Sequence, residues 1–448
     1  MSTSLEAKKT KPRLVVAETE SATTAAATAT TLSDRLSSRS VKTVLALFDQ
    51  AIVSGGNFVT TMILVRSAGF DGLGAYSLAF TIGVFLMAIQ ESLIVLPYTV
   101  YGNRLTGVAR TRCAGSALLQ QLVLAALATA FLAIIALGLG RIPEIHFAKE
   151  LGVLAIWTPF LLLREFARRM SFADLRMMAV LAVDSVVTVL LLGSLTALAW
   201  QGELTAARAL ACWGGASAVG AIAWLCFSRK KFAFDRDSVV AEVRRNVALG
   251  GWACLSRITN VAEGYTVHWL LAILVGTVAT GAFAACMTVV NLSNPILMGV
   301  GAVLAPYAAQ AYAQHGKEGL RALIRRANGW LIPPTILFAL IMFLFGDHLL
   351  ALIYKDGAAD FGLLVGLLSL SVLASTMGMA ADNALRAMER TRLNFVASLC
   401  GVGASTPIAL LTIPYVGPLG AAIGLTVGGF IAAGVRIMAV RRMLESEA

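Results

Sequence analysis

Twelve long apolar segments, separated by short polar stretches, set the pattern of this chain. A helix needs about 20 consecutive apolar residues to cross a bilayer, and lipid permits only helices or closed barrels. Continuous apolar runs without period-two alternation indicate helices. The pattern therefore predicts an all-α integral membrane protein with twelve transmembrane helices. The segments are 43–65, 73–100, 113–139, 150–172, 176–200, 205–228, 247–275, 278–308, 327–346, 361–385, 393–413 and 418–440.

The composition and the placement of charge support this reading. The 448 residues are 58% hydrophobic and 14% charged, against about 25% charged in soluble domains. With the N-terminus inside, the cytoplasmic connections and termini carry 30 Lys and Arg, the outer connections carry five, and Arg257 lies within a span. Because cytoplasmic loops attract basic residues, both termini are expected in the cytoplasm. The net charge of +11 then marks the inner membrane surface, and no nucleic-acid partner is expected.

A weak internal repeat divides the spans into two sets of six. The repeat has an offset of 207 in the first spans, which drifts to 217 later in each half. It pairs Gly69 with Gly276, Gly74 with Gly281, Ala75 with Ala282, Tyr76 with Phe283, Glu165 with Asp382 and Arg169 with Arg386. An even number of helices per set predicts two parallel lobes, related by an axis along the membrane normal.

Four regions follow from this division. They are a polar tail at 1–41, expected to be disordered, an N-terminal lobe at 42–228, a cytoplasmic linker at 229–246 and a C-terminal lobe at 247–443. Pro97 and Pro306 occupy similar places in the two lobes, where a proline frees a backbone carbonyl. Either a hinge or a fixed bend fits these two positions.

The first span of each lobe carries a polar stripe. In 247–275, the side chains of Arg257, Asn260 and His268 fall on one side at 100° per residue, with Glu263 at its edge. In 43–65, Gln50, Ser54, Asn57 and Thr61 recur at helical spacing, beside Asp49. The offset of 207 superposes the two stripes. We therefore predict that both face a central aqueous cavity between the lobes.

Ionisable groups inside a membrane are costly, and this cost suggests a function for them. Arg257 could hold a phosphate through paired N–H donors, or it could pair with Asp49, Glu91 or Asp184. The same choice between function and structure applies to Glu263 and His268. Glu91 could bind a coupling cation or proton, or make a packing hydrogen bond. Asp49 could also be a solvated carboxylate at a helix start.

Several kinds of chemistry have no sequence signal. The chain has no P-loop, H-E-x-x-H or G-x-S-x-G motif, its four His are scattered, and none of its six Cys form a C-x-x-C pair. These observations predict no metal, no cofactor and no enzymatic activity.

Two stretches resemble a known family. Residues 69–107, GFDGLGAYSLAFTIGVFLMAIQESLIVLPYTVYGNRLTG, resemble the second helix of polysaccharide and O-antigen flippases. Residues 384–444, with the glycine-rich GPLGAAIG, resemble their last two helices. The resemblance covers about 42–443. These flippases belong to the multidrug/oligosaccharidyl-lipid/polysaccharide (MOP) transporter superfamily.

The resemblance implies alternating access between two lobes and flipping of a polyprenyl-pyrophosphate-linked oligosaccharide to the outer leaflet, in a bacterial cytoplasmic (inner) membrane. We place Arg257 near the phosphates, with Gln50, Asn57 and Asn260 near sugar hydroxyls and Glu263 and His268 beside them. Na⁺ or H⁺ coupling would use Glu91, Glu263 or Asp49. Other polysaccharide-assembly membrane proteins are expected partners. A multidrug or metabolite exporter of the superfamily, and a membrane-embedded polymerase or glycosyltransferase, are the alternatives.

Overall fold

The described part of the chain, residues 13–142, 147–234, 236–354 and 360–445 of a computed structural model, is almost entirely helical. Short π-helical segments cover Glu91–Val95 and Tyr98–Gly102, and short 3-10 turns cover Arg229–Lys231 and Asn291–Ser293. The α-helices are α1 (Arg13–Gln90), α2 (Gly107–Leu139), α3 (Ala148–Ala173), α4 (Met177–Trp200), α5 (Ala206–Ser228), α6 (Arg236–Leu274), α7 (Thr277–Val290), α8 (Asn294–Tyr354), α9 (Gly362–Ala387), α10 (Thr391–Val416) and α11 (Pro418–Glu445).

Two of these helices contain more than one span each. In α1 the backbone breaks at Gly69, with φ 70° and ψ −175°, and in α8 it breaks at Gly316, with φ 57° and ψ −140°. Side chains other than glycine rarely adopt such a φ, so each glycine ends one span and starts the next. Because α7 and the first part of α8 together form one span, the eleven helices and two breaks of the described residues give twelve spans, which confirms the predicted two lobes of six.

Two predicted regions differ from the structure. Helix α1 begins at Arg13, so it includes 13–41, where the sequence analysis predicts disorder. This stretch is rich in Ala and contains no Gly or Pro, a composition that favours helix once a neighbouring span nucleates it. Residues 1–12 lie outside the described residues. Helix α6 likewise begins at Arg236, inside the predicted linker at 229–246, and continues into the seventh span.

The start of the linker is tied to the N-terminal lobe. The Nζ of Lys231 lies 2.7 Å from Oδ2 of Asp174, and Nη2 of Arg110 lies 2.9 Å from its Oδ1. Burial alone would raise the pKa of the Asp174 carboxyl, but Lys231 and Arg110 hold this pKa below its ordinary value. The linker therefore leaves the lobe from a fixed point.

The two lobes meet in a contact that is symmetric under the 207 offset. A Cβ on Gly74 would overlap the carbonyl oxygen of Thr277, and a Cβ on Gly281 would overlap the carbonyl oxygen of Phe70. Each partner is the repeat equivalent of the other. This self-complementary contact is the pattern of a two-fold axis, so the axis passes between α1 and α7.

This contact lies at the outer side of the protein. Further hydrogen bonds between the lobes close the same side. The Oγ1 of Thr277 donates a short hydrogen bond to Oδ1 of Asp71. The Nε of Arg66 donates to the carbonyl of Ile353 at 2.9 Å. These bonds join spans of opposite lobes around the outer loops, so the structure is closed towards the outside.

Two spans are much more polar than the others. Eight helical stretches meet the length and apolarity needed to cross a membrane, and two of them, Val44–Gly102 and Thr277–Tyr354, contain two spans each. Helices α3 and α6 are not among these stretches, although both are long enough to span. Polar groups within a membrane need hydrogen-bond partners from the protein. Helices α3 and α6 therefore mark where the polar side chains are concentrated.

The second span ends in irregular helix around Pro97. The segments Glu91–Val95 and Tyr98–Gly102 are π-helical, and Pro97 lies between them. Such bulges often occur at functional positions in α-helices. They place Glu91 at the first distorted turn.

We predict that Gly74→Val opens the outer side. The added side chain would overlap the Thr277 backbone, and overpacking of this kind costs about 1–3 kcal/mol. Spin labels at Gln201 and Tyr415, the outer ends of α4 and α10, would then move apart in pulsed electron resonance. Gly55→Val is the control, because a Cβ at Gly55 on the same helix meets no atom within 4 Å. An unchanged distance distribution in Gly74→Val would contradict the assignment of this contact.

Candidate functional site

A cavity of about 390 Å³ lies between the lobes, where the two polar stripes meet. Gln50 and Asn57 line it from α1, and His268 lines it from α6. Its other polar lining groups include Ser54, Thr60, Thr61, Thr81, Thr288 and Asn291. The predicted cavity is therefore present, and three of the residues proposed to contact the substrate face it.

The lining mixes polar side chains with apolar ones such as Leu73, Met287 and Leu292. Among the described residues, no Asp, Glu, Lys or Arg side chain lines this cavity. Its walls offer hydroxyls, amides and aromatic rings such as Tyr76, Tyr265 and Phe80. Such groups suit a neutral ligand that both donates and accepts hydrogen bonds.

Hydrogen bonds between the two lobes close the cavity on its outer side. The hydroxyls of Thr61 and Thr288 lie 3.3 Å apart, and the indole N–H of Trp269 donates to Oγ1 of Thr81 at 2.9 Å. The 207 offset pairs Thr81 with Thr288, and it pairs Thr61 with His268, the residue next to Trp269. The two hydrogen bonds are therefore approximate repeat equivalents.

A charge network lies on the cytoplasmic side of the cavity, centred on Asp184. This carboxylate is fully buried in α4 and receives a short hydrogen bond from Arg164. Nε of Arg168 lies 2.6 Å from its Oδ2, and Nη2 of Arg168 lies 3.1 Å from Oδ2 of Asp49. Asp49 is therefore a buried structural partner rather than a solvated carboxylate at a helix start.

The network continues to the second lobe through Glu91. Nε of Arg169 lies 2.7 Å from Oε1 of Glu165, and its Nη1 lies 3.2 Å from Oε1 of Glu91. The other oxygen of Glu91 lies 3.2 Å from Nη2 of Arg257. Four arginines and four carboxylates thus balance in one group, and the Glu91–Arg257 pair joins the lobes.

Arg257 remains accessible in spite of this pair. Its side chain is 46% exposed, whereas that of Arg168 is 14% exposed. Arg257 precedes the cavity residue Gly264 by seven positions, which places it on the same helical face about 10 Å nearer the cytoplasm. Arg257 does not line the cavity itself but lies on the route to it.

Asn260 and Glu263 face another direction. The Oγ of Ser398 donates to Oδ1 of Asn260 at 2.7 Å and receives a bond from Nη2 of Arg436 at 2.7 Å. The Glu263 carboxylate faces the same Arg436 and Ser398. At 100° per residue these two positions turn away from Arg257 into the C-terminal lobe. The structure therefore places them in a polar cluster inside that lobe, outside the cavity lining.

The sequence analysis missed four deep arginines. Its count of 30 cytoplasmic Lys and Arg includes Arg164, Arg168, Arg169 and Arg436. Asp184 carried a signal, because a carboxylate in the middle of an apolar span requires a cationic partner. The spacing of Arg164 and Arg168 on one face of α3 could have supplied that partner.

Solved structures of transporters share this fold. An inward-facing multidrug resistance MATE family transporter of the MOP superfamily is 14% identical, with a TM-score of 0.73 over 88% of this chain and 95% of that chain. A MOP superfamily transporter from Pyrococcus furiosus Vc1, described by the reverse polarity of its binding pocket, is 13% identical with a TM-score of 0.65 over 90% and 96%. The outward-facing conformation of a MATE transporter scores 0.62 at 12% identity over 90% and 96%.

The chain shares the fold of these MOP superfamily transporters, with a cavity between its two lobes. The family model described as polysaccharide biosynthesis protein matches residues 42–312, and the MatE model matches 253–411. The first match covers more than half of the chain, so the chain belongs to the polysaccharide biosynthesis protein family. A comparison with curated protein sequences gives no significant match.

We predict that Arg168→Ala destabilises the N-terminal lobe strongly. Removing one partner of a buried pair costs about 3–5 kcal/mol, because Asp49 and Asp184 then lose a cation that both contact. Unfolding of the purified protein in detergent measures the change. Arg208→Ala breaks the exposed pair with Glu203 and should cost about 0–1 kcal/mol. Equal losses in the two variants would show that the network does not stabilise the lobe.

Proposed function

We propose that this transporter flips a polyprenyl-pyrophosphate-linked oligosaccharide from the inner to the outer leaflet of a bacterial cytoplasmic (inner) membrane, for exopolysaccharide or O-antigen export. The observation that carries the proposal is the pairing of a neutral, hydroxyl- and amide-lined cavity with an accessible arginine on its cytoplasmic approach. A sugar head group suits the neutral cavity, and the pyrophosphate that follows it suits the arginine.

The sugar would occupy the cavity. Gln50 and Asn57 can each donate and accept hydrogen bonds, and the imidazole of His268 adds two ring nitrogens to the lining. Tyr76 and Tyr265 supply apolar faces. Asn260, which bonds Ser398, is less suited to contact sugar than the sequence analysis expected.

The pyrophosphate would bind Arg257. A phosphate competes with Glu91 for the guanidinium, because both are anions that accept its N–H groups. Binding would therefore release the Glu91 pair between the lobes. With the outer side closed, the head group would enter from the inner leaflet while the lipid tail stays in the bilayer.

Among the three coupling candidates, we favour Glu91. Asp49 is held by Arg168 and is almost fully buried, and Glu263 faces Arg436 inside the C-terminal lobe. The Glu91 side chain is 30% exposed and contacts an arginine of each lobe. A proton on Glu91 would weaken both pairs, which gives a proton gradient a way to act on the lobes.

A multidrug exporter is the second candidate function. The MatE model matches 253–411, and multidrug MATE transporters share the fold. A cavity for cationic drugs should carry carboxylates, however, and none lines this cavity among the described residues. Growth of a drug-sensitive strain that expresses the protein, with cationic dyes present, tests this alternative.

We predict that Arg257→Ala weakens binding of the pyrophosphate lipid and slows its flipping. Charged hydrogen bonds contribute about 1.5–3 kcal/mol, which corresponds to roughly ten- to hundredfold weaker binding. Binding is measured on purified protein, and flipping by enzymatic access to the sugar in proteoliposomes. Arg386→Ala, which breaks the exposed pair with Asp382 in the same lobe, should leave both unchanged.

Glu91→Gln separates phosphate binding from simple pairing. If Arg257 binds phosphate, this variant keeps the binding of the pyrophosphate lipid and loses the dependence of flipping on the ion gradient. If Arg257 serves only to pair with Glu91, then Glu91→Gln and Arg257→Ala should have the same effect. Equal loss of binding in both variants would reject the phosphate role.

We predict that Asn57→Leu raises the KM for flipping about two- to tenfold without changing stability. The change removes an amide that faces the cavity, and one hydrogen bond to a neutral ligand contributes about 0.5–1.5 kcal/mol. Initial flipping rates over a range of substrate concentration measure it. Thr259→Val is the control on α6, because Thr259 does not line the cavity and its hydroxyl bonds the Leu255 carbonyl of its own helix. The same KM in wild type and Asn57→Leu would exclude the cavity as the sugar site.

A further inference from the structure

A second cavity of about 660 Å³ opens at the cytoplasmic end of the C-terminal lobe. It lies between the second part of α8 and the end of α11, and Ala381 of α9 contributes to its wall. It shares no lining residue with the cavity between the lobes. The transport cycle proposed above does not use it.

Basic side chains from two helices converge on this cavity. Arg321 and Arg325 are four residues apart on α8, and Arg441 lies on α11. All three are exposed, and none has an ion pair or side-chain hydrogen bond with the described residues. Their guanidinium groups are therefore available to a ligand that accepts several N–H bonds.

Apolar side chains line the cavity beside the arginines. They are Ile324, Ile437 and Val440, at the edge of a buried apolar cluster. Asn328 also lines the cavity, and its amide oxygen is buried without a hydrogen-bond partner among the described residues. An unpaired buried acceptor is costly, so a hydroxyl donor would be favoured at this position.

The position of the cavity along the membrane normal suits an anionic head group. The positive-inside count places this end of α8 and α11 at the cytoplasmic surface. Basic pockets between membrane helices on this side suit anionic head groups. Glu445 is the one carboxylate that lines the cavity among the described residues, and it would oppose an anion.

We propose that this cavity binds an anionic phospholipid of the inner leaflet, such as phosphatidylglycerol. Arg321, Arg325 and Arg441 hold the phosphate oxygens. One acyl chain lies along the apolar side chains. The bound lipid joins the second part of α8 to α11, two helices that make little direct contact.

Lipid retention on the full-length protein tests the site. The protein is reconstituted in nanodiscs with equal phosphatidylglycerol and phosphatidylcholine, and bound lipid is then counted by native mass spectrometry. We expect wild type to retain phosphatidylglycerol selectively. Arg325→Ala combined with Arg441→Ala should weaken this retention about tenfold or more, because two charged hydrogen-bond donors are lost.

The chain supplies matched controls for both arginines. Arg326→Ala combined with Arg442→Ala changes the adjacent exposed arginines, which do not line the cavity, and should leave retention unchanged. Glu445→Gln should strengthen retention, because it removes the opposing carboxylate. Equal weakening in the control pair would mean only general surface attraction and would overturn the proposal.

Two competitors separate the sources of phosphate. Displacement of phosphatidylglycerol by millimolar inorganic phosphate would reveal an ion site, and displacement by polyprenyl pyrophosphate would reveal a substrate-docking site. Either result overturns the proposal, and resistance to both supports it. If the double variant fails to fold, the single variant Arg441→Ala, at the exposed end of α11, is used instead. Undiminished retention of phosphatidylglycerol by this variant would refute the proposal.

Discussion

The contact between Gly74 and Gly281 constrains the rest of this transporter. At this point the α1 and α7 backbones approach so closely that neither position has room for a Cβ. Because the two glycines are repeat equivalents, the contact fixes the axis that relates the lobes. Asn57 and Thr61 of the first span then line the same cavity as their repeat equivalents Gly264 and His268. The cavity is thus a consequence of symmetry, and its polar lining follows from two similar stripes.

The second constraint is the cost of burying charge. Asp184 in the middle of α4 would be prohibitive alone, and it is stable because Arg164 and Arg168 lie against it. The same arginines make α3 less apolar than an ordinary membrane-spanning helix. Since the network is locally neutral, an arriving anion must displace a carboxylate to gain an arginine. Glu91 is the least buried of the four carboxylates that could be displaced.

The sequence predicted the spans, their number and the cavity well, since these follow from apolar length, basic-residue placement and helical period. It failed where the answer depended on which helix lies opposite. Asn260 lies on approximately the same side of α6 as Arg257. The two positions differ by 60° around the helix axis, and this difference directs Asn260 to Ser398. Arg436 looked like a cytoplasmic end residue, because a linear count of charge cannot tell that its guanidinium reaches back to α10.

The two lobes have diverged within their shared symmetry, and this divergence gives direction to the mechanism. At the position of Gln50 in the first lobe, the second lobe has Arg257. The amide lines the cavity, whereas the arginine pairs with Glu91 just outside it. A substrate with one charged end and one neutral end therefore meets two different surfaces and can enter in only one orientation. An exact repeat would offer the same group twice and could not distinguish the two ends of its ligand.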